Sequence, residues 1–222
     1  MGAPRSLFDI LGPVMIGPSS SHTAGAVRLG LLARAIFGRQ PEGVKIVMHG
    51  SFASTGTGHG TDLALVAGLL GMRPDDPEIV RSLERARREG MSIEIVNGDL
   101  GDVHPNSVLL HLRVGDSELS VQGASTGGGE VLVTRIGEFE AQASGSMPLL
   151  VVTNTDSPGE IAAVTRLISE SGANIAEMRV ARTRKGAEAL MLIETDTLLA
   201  DDALQAIAGL PGVLVVRAVP PV

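Results

Sequence analysis

The amino-acid sequence predicts an α/β protein of the α+β type, with a mixed sheet in its first half and a βαββαβ module in its second. Two observations carry this prediction. In the first half, helix-like and strand-like segments precede a run of strands joined by short polar or glycine-rich turns. A strand–helix pattern then restarts after residue 148. The length of 222 residues and the hydrophobic content of 44% suit two small domains with buried cores.

The first half opens with an amphipathic segment in which Val27, Leu31 and Ala35 recur every four residues, as in a helix. VKIVMHGSF (44–52) then reads as a buried strand, and GTGHG (56–60) as a loop. The following segments are predicted, in order, as two helices, one half-buried strand and three further strands: TDLALVAGLLG, PEIVRSLERARREG, MSIEIVNG, SVLLHLRVG, SELSVQGAS and EVLVTRIGEFE.

A short segment of small and polar residues, AQASGSMP (141–148), is typical of a linker. After it, LLVVTN predicts a strand and DSPG a turn that leads into a helix with Ile161, Val164, Leu167 and Ile168 on one face. NIAEMRVART and EALMLIETD predict two strands, ADDALQAIAGLPG a helix and VLVVRAV a last strand. The resulting βαββαβ order is the ferredoxin-like split βαβ arrangement.

The composition excludes several classes of function. Aromatic residues make up only 2% of the chain and the net charge is -7, so nucleic acid is not an expected partner. The chain has no cysteine, which excludes disulfides, thiol nucleophiles and an iron–sulfur cluster bound by its own cysteines. No apolar run reaches the roughly 20 residues that span a membrane, and no signal-peptide pattern is present. We therefore expect a soluble, cytoplasmic protein.

The motif GPSSSHTAG, near the N-terminus, carries more hydroxyl groups than a helix start needs. One N-cap is sufficient, yet Ser19, Ser20, Ser21 and Thr23 are all candidates. Either one serine caps the helix and the others are solvated, or the hydroxyls and free N–H groups form a site for a carboxylate or phosphate, with His22 as an added charge or donor. A Ser–His nucleophilic pair is disfavoured, because adjacent helical residues diverge by about 100°.

The motif GSFASTGTGHGTD is the second candidate. Its glycines Gly56, Gly58 and Gly60 do not follow the G-x-G-x-x-G dinucleotide pattern, since Thr61 takes the third position, and no lysine completes a phosphate-binding loop. The alternative is close approach of the backbone to a small ligand. His59 would then point into that site as a general acid or base. The glycine-rich GASTGGGE is predicted as a hairpin connection, or as a pocket wall if it folds back.

We expect no metal site on this chain, because its five histidines lie on different predicted elements. In the second half, Asp156 is predicted to cap the following helix, while Pro158 and Gly159 set the turn. Asn154, Asp156 and Asn174 are an alternative set of ligands for the amino and carboxylate groups of an amino acid, buried between two paired copies. The spacing leaves both interpretations open.

Together, the motifs GPSSSHTAG and GSFASTGTGHGTD and the later NTDSPGEI and GANIAEM resemble the beta subunit of iron–sulfur-dependent bacterial L-serine dehydratase. The similarity extends over essentially the whole chain. The second half resembles an ACT domain, the amino-acid-sensing module of phosphoglycerate dehydrogenases. The first half resembles the additional substrate-binding domain of some of those enzymes. One departure is Ala26 after Gly25, where family members often have proline.

The resemblance implies a beta-type domain over residues 1–142, a linker over 143–148 and an ACT domain over 149–222, with ACT domains forming a homodimer contact. It implies a lyase of serine catabolism and gluconeogenesis that converts L-serine to pyruvate and ammonia. A 4Fe–4S cluster, held by cysteines of a partner alpha subunit, would act on the serine hydroxyl. No metal would be bound by this chain itself.

The implied site lies in a cleft shared with the alpha subunit. His59 would remove the α-proton, with Asp62 orienting it and His22 as the alternative base. The implied substrate-binding residues are Ser19, Ser20, Ser21, Thr23, Gly58, Gly60 and Thr61, and the implied ACT ligands are Asn154, Asp156, Gly159 and Asn174. The alternative function is a free-standing amino-acid sensor that dimerises through its ACT domain. Threonine as a second substrate, and activation or inhibition by the ACT half, are left open.

Overall fold

The computed structural model describes residues 14–222, so the first thirteen residues of the predicted first domain, including the segment examined for a signal peptide, lie outside the described residues. The described chain forms two sheets with helices packed on them. One sheet has six strands in the order β2-β1-β3-β4-β5-β6, and the other has four in the order β10-β7-β9-β8. The predicted α/β class and the βαββαβ order of the second half are confirmed.

The elements of the first domain follow one another in a simple order. They are a π-helical turn (Ser20–Gly25), α1 (Ala26–Phe37), β1 (Gly43–Met48), α2 (Gly50–His59), α3 (Thr61–Leu69), a 3-10 turn (Pro77–Arg81), α4 (Ser82–Arg88), β2 (Ser92–Asn97), β3 (Ser107–Val114), β4 (Ser117–Gly127), β5 (Glu130–Ile136) and β6 (Phe139–Ala143). Strand β1 pairs in parallel with β2, and every other neighbouring pair of this sheet is antiparallel. The sheet is therefore mixed, as predicted.

The second domain contains β7 (Leu149–Thr155), α5 (Glu160–Glu170), β8 (Ile175–Arg182), β9 (Glu188–Thr195), α6 (Asp201–Ala208) and β10 (Val213–Val219). Its four strands are antiparallel throughout. One face of the sheet buries Val152 and Ile193 against Val164 and Ile168 of α5. Ile161, which the periodicity places on the same face, is 47% exposed at the first turn of the helix.

The two domains share a hydrophobic core. The second face of the four-stranded sheet contributes Leu149, Val151, Leu190, Leu192 and Val219 to the core of the first domain. Alternation along the strands produces this arrangement, because successive side chains point to opposite faces of a sheet. The connection between the domains is short: β6 ends at Ala143, so the first three residues of AQASGSMP belong to a strand.

Helices α1 and α3 cross at two glycines. A Cβ atom on Gly68 would lie 2.7 Å from the Leu31 nitrogen and 2.8 Å from the Cα of Gly30, and it would overlap the carbonyl oxygen of Val27. A Cβ atom on Gly30 would lie 2.9 Å from the Cα of Gly68. Backbone therefore packs on backbone, and this contact fixes α1, with the π-helical turn before it, against the rest of the domain.

Three sequence predictions in this half are wrong in detail. The strand predicted over 44–52 ends at Met48, and the predicted loop GTGHG is the last part of helix α2. The fully buried side chain of Phe52 anchors this helix, and Gly60, with φ of 68°, ends it in the left-handed conformation. The segment 130–140 forms two strands rather than one, separated by a turn at Gly137.

Within residues 14–222, no helix is long and apolar enough to cross a membrane.

Candidate active site

The π-helical turn begins at a serine cap. Ser19 is extended, and its hydroxyl accepts a hydrogen bond from the His22 backbone N–H at 3.2 Å. The prediction that one serine of this motif is the N-cap is thus confirmed for Ser19. Wide turns of the π type are uncommon and are often found at functional sites. Here the turn places the His22 side chain toward helix α2.

The other hydroxyls of the motif are not used as caps. Ser20 and Ser21 are half-buried, and among residues 14–222 no acceptor lies within hydrogen-bonding distance of their backbone N–H groups. Thr23 is buried, and its Oγ1 has no hydrogen-bond partner in the described part of the chain. The turn therefore offers unpaired donors at a helix start, where an anion is favoured.

Helix α2 supplies the partners of the His22 ring. Its Nε2 atom lies 3.2 Å from the Ser51 hydroxyl and 3.0 Å from the Thr55 hydroxyl. The ring also packs edge-on against Phe52, with centroids 5.3 Å apart. Ser51, Thr55 and His59 are spaced by four residues and lie on one face of the helix. Sequence analysis missed Ser51 and Thr55 because it predicted a loop, where this spacing has no meaning.

The hydrogen bonds of the two histidines indicate their neutral tautomers. His59 Nδ1 lies 3.0 Å from the Thr55 carbonyl oxygen, which can only accept, so Nδ1 carries the proton and Nε2 keeps a lone pair. The Thr55 hydroxyl donates to the Ser51 carbonyl at 2.8 Å, so it accepts from His22 Nε2–H. His59 is exposed, and its Nε2 is therefore the accessible basic nitrogen of the pair.

The two imidazole rings are close neighbours, with centroids 5.1 Å apart. Partial burial, and then the adjacent His59, lower the pKa of His22 below 6.5, although a hydrogen bond at Ser51 acts in the opposite direction. His22 consequently stays neutral at pH values where an ordinary histidine is protonated. The structure brings together the two histidines that the sequence singled out.

Asp62 does not orient His59 in this structure. The His59 ring nitrogen binds the Thr55 carbonyl instead, and no hydrogen bond or ion pair joins Asp62 to His59 among the described residues. The Oδ1 atom of Asp62 and the hydroxyl of fully buried Thr61 both lack partners in residues 14–222. Gly58 lies in the helix with open space beside it, and Gly60 forms the junction between α2 and α3.

The glycine-rich end of strand β4 reaches the π-helical turn. Ser125 is fully buried, its Oγ has no partner in the described part of the chain, and its side chain contacts Gly25, where a Cβ atom would lie 2.8 Å from that of Ser125. The hairpin GASTGGGE thus folds back onto the first motif. The sequence left open that this hairpin folds back as a pocket wall, but Ser125 was not among the predicted site residues.

In the second domain, Asp156 does not cap the helix. Gly159 is the N-cap in a left-handed conformation, without a side-chain hydrogen bond. The Asp156 carboxylate instead accepts from the Gly186 N–H and from Arg182, each at 2.9 Å. These contacts hold the pKa of the Asp156 carboxyl below its usual range. The hydrogen bond from the Gly186 N–H is the larger cause and that from Arg182 the smaller. The Oδ1 of buried Asn154 has no partner in residues 14–222.

Asn174 lies at the other end of the same sheet. It donates to Asp196 at 2.9 Å, beside the point where Ile175 pairs with Thr195. Asp156 binds Arg182, at the opposite end of β8. The eight-residue strand separates these ends by roughly 23 Å. Within one chain, therefore, Asn174 and Asp156 cannot hold the same ligand.

Comparison with protein families matches each half of the chain to a known family model. Residues 6–135 match the family model described as serine dehydratase beta chain, and residues 149–212 match the ACT domain model. The chain belongs to the serine dehydratase beta chain family. The family resemblance inferred from the sequence motifs is thereby confirmed, and the βαββαβ module is an ACT domain.

Three relatives show how far the similarity of this beta chain family extends. A probable L-serine dehydratase beta chain of Bacillus subtilis is 42% identical over 95% of this chain and 96% of its own length. The L-serine dehydratase beta chain of Peptoniphilus asaccharolyticus is 35% identical over 92% of this chain and 93% of its own. The D-3-phosphoglycerate dehydrogenase of Synechocystis is 26% identical over 96% of this chain, but over only 39% of its own length.

The beta chain itself is unsuited to hold an iron–sulfur cluster. It has no cysteine, and within residues 14–222 no group of three or more histidine, aspartate or glutamate side chains could hold a metal ion. Cluster ligation in proteins relies on cysteine thiolates.

Proposed function

We propose that this chain is the beta subunit of an L-serine dehydratase, a lyase that converts L-serine to pyruvate and ammonia together with a cysteine-bearing alpha subunit. The observation that carries the proposal is the end-to-end match with two L-serine dehydratase beta chains, at 42% and 35% identity. The coarser conclusion, a role in a lyase-type enzyme, follows from the same names. Action in the cytoplasm, in serine catabolism and gluconeogenesis, is part of the proposal.

The π-helical turn is proposed to bind the substrate carboxylate. Its unpaired N–H groups at Ser20 and Ser21 and the positive end of helix α1 favour an anion. The hydroxyls of Ser19, Ser20, Ser21 and Thr23 are the candidate donors around it. Thr61 and Ser125 add buried hydroxyls without partners in the described chain. Occupation by a carboxylate would supply acceptors for these groups.

His59 is proposed to remove the α-proton of serine. Its Nε2 lone pair is exposed, and the Thr55 carbonyl fixes the ring in the tautomer that leaves this atom basic. His22 is the weaker candidate, because Ser51 and Thr55 occupy its Nε2 and its Nδ1 lies 3.4 Å from the Ser19 hydroxyl. We assign His22 the role of a neutral neighbour that positions the Ser19 turn.

The iron–sulfur cluster implied by the family would supply a Lewis acid for departure of the serine hydroxyl. Because this chain lacks cysteine, the proposal places the cluster on the alpha subunit. The beta chain contributes carboxylate binding and proton removal in a cleft that the partner closes.

The ACT domain is proposed to bind an amino acid between two copies of the chain. Strand β8 is an edge strand, with β9 as its one hydrogen-bonded neighbour among the described residues. Antiparallel pairing of two β8 strands about a two-fold axis would reverse one of them and bring Asn174 of one copy beside Arg182 and Asp156 of the other. The 45% exposed Val180 lies along this edge. Asn154 and Gly159 would complete the site.

A reconstitution experiment tests the proposed function. The chain is co-expressed with a candidate cysteine-bearing alpha subunit, purified without oxygen through a tag on the beta chain, and assayed for pyruvate from L-serine and from L-threonine. We expect a brown complex that releases pyruvate from serine. A chain that captures no such subunit, yet binds L-serine without any partner protein, would instead support a free-standing sensor that dimerises through its ACT domain.

A further inference from the structure

A cavity lined by arginines lies where the two domains meet. It has a volume of about 810 Å³ and lies between helix α1 and strand β10. Its charged lining residues are Arg28, Arg34, Arg39, Arg73, Arg217 and Asp75. Five arginines thus line the cavity together with Asp75 and the terminal carboxylate of Val222, in a chain whose net charge is -7. A random distribution of charge over such an acidic protein does not concentrate cations in one concave surface.

Most of these arginines have no acidic partner. Among residues 14–222, no carboxylate side chain lies within 4.0 Å of Arg28, Arg34, Arg39 or Arg217, while Arg73 pairs at 3.7 Å with Asp75. Arg28 and Arg217 each donate one hydrogen bond to a backbone carbonyl. Each guanidinium has five N–H donors, so most of these donors have no partner among residues 14–222.

Arg34 adds an unpaired buried donor to the positively charged lining of the cavity. Its Nε atom is buried and has no hydrogen-bond partner in the described part of the chain. Buried polar atoms in native proteins are almost always paired, and a cationic group left unpaired is costly. Arg34 lines the cavity from α1, as does Arg28, and Arg39 follows just after the end of this helix. The unpaired Nε atom adds to the excess of positive charge beside the cavity.

The number of arginines distinguishes between classes of anion. A carboxylate has two oxygens and is satisfied by one or two guanidinium forks. A phosphoryl group carries three oxygens and up to two negative charges, and it matches several forks at once. Leu31, Ala35 and Pro220 add an apolar wall, which suits an organic part of the ligand. We propose that this cavity binds a phosphorylated small molecule.

The site is separate from the proposed active site and does not depend on it. Its arginines come from α1, the loop after α1 and the loop after α3 in the first domain, and from β10 in the ACT domain. A bound ligand would therefore contact both domains, and it would stabilise their packing because binding to the folded state alone raises apparent stability. Helix α1 also connects the cavity to the π-helical turn at its N-terminal end.

Titration of the full-length chain with inorganic pyrophosphate tests the proposal. Isothermal calorimetry at constant ionic strength should show saturable binding, and the melting temperature should rise with pyrophosphate. We expect Arg217→Gln and Arg39→Gln to weaken binding at least tenfold. Both side chains are exposed, so these variants are expected to fold, which circular dichroism verifies. Arg87→Gln, on the exposed face of α4, is the matched control and should bind as the wild type.

Three results would overturn the assignment. Absence of saturable pyrophosphate binding to the folded wild-type chain would remove the site, as would unchanged affinity in both Arg217→Gln and Arg39→Gln. Citrate, titrated under the same conditions, tests the chemical class. Citrate binding as tight as pyrophosphate binding, and equally sensitive to Arg217→Gln, would show a general polyanion site and contradict the phosphoryl assignment.

Discussion

His22 and His59 differ in how their ring nitrogens are engaged, and this difference supports the roles that we propose for them. Both nitrogens of His22 lie within 3.4 Å of hydroxyl groups. His59 uses Nδ1 on the Thr55 carbonyl and presents Nε2 to solvent. A proton acceptor must reach its substrate with a free lone pair. The geometry therefore favours His59 as the base, a choice that the sequence alone left open.

Replacing His59 by glutamine should raise the pKa of His22. The neighbouring imidazole disfavours a second positive charge, and its removal leaves burial as the main remaining cause of the depressed pKa. The pKa of His22, measured by NMR titration of the full-length chain, should lie below 6.5 in the wild type and rise in His59→Gln. His111→Gln, on β3, is the control and should leave it unchanged. A His22 midpoint that does not respond to His59→Gln would disprove the electrostatic contact.

Helix α2 is the element that changes the interpretation of the site. Read as a loop, GSFASTGTGHGTD gives candidates only from Gly58 onward, and Ser51 and Thr55 are not among them. As a helix, it aligns Ser51, Thr55 and His59 on one face, with Phe52 buried behind them. The glycines at 56 and 58 made helix the less favoured prediction, since each glycine costs about 1 kcal/mol relative to alanine in a helix.

Two glycine substitutions test this assignment and the helix crossing. Gly58→Ala has open space around the new methyl group and should stabilise the chain by up to about 1 kcal/mol, because alanine favours helix. Gly68→Ala would force a methyl group against the backbone of α1 and should destabilise by about 1–3 kcal/mol or more. Urea unfolding of the full-length chain measures both. A lower free energy of unfolding in Gly58→Ala would argue against a helix at residues 50–59. An unchanged free energy of unfolding in Gly68→Ala would argue against the close crossing of α1 and α3.

The elements that the sequence predicts well are those with regularly spaced apolar residues and with turn residues at both ends. The ACT half was predicted element by element, because its strands and helices each carry a regular apolar pattern bounded by turn residues. The π-helical turn has no sequence signature, so its placement of His22 could not be foreseen. The contacts of His22 with Ser51 and of Gly25 with Ser125 join residues far apart in sequence, and only the fold brings them together.

At the scale of the whole molecule, the two domains form one structure rather than two tethered ones. Five apolar residues of the ACT sheet lie in the core of the first domain, so that face of the sheet is already covered. Among residues 14–222, the edge strand β8 is hydrogen-bonded to a neighbouring strand, β9, on one side only. This arrangement leaves edge pairing as the route by which Asn174 and Asp156 could share a ligand.

Mixing two inactive variants tests this inter-subunit site. Asp156→Ala and Asn174→Ala chains should each fail to bind L-serine in calorimetry, because every two-fold site then lacks one residue. After co-refolding, the heterodimer should regain one intact site, formed by Asp156 of one chain and Asn174 of the other. Recovery of serine binding supports the shared site. Wild-type affinity in either single variant, or no recovery in a mixture shown to contain heterodimers, would contradict it.

The central claim, that this chain supplies the base of a serine dehydratase, is tested most directly by the turnover of His59→Asn in complex with the alpha subunit. We expect kcat for L-serine to fall by at least about 100-fold, the usual range for loss of a general base, while KM changes little and the complex still assembles. His111→Asn should retain wild-type kcat. A His59→Asn complex with kcat within a few-fold of wild type would contradict the account.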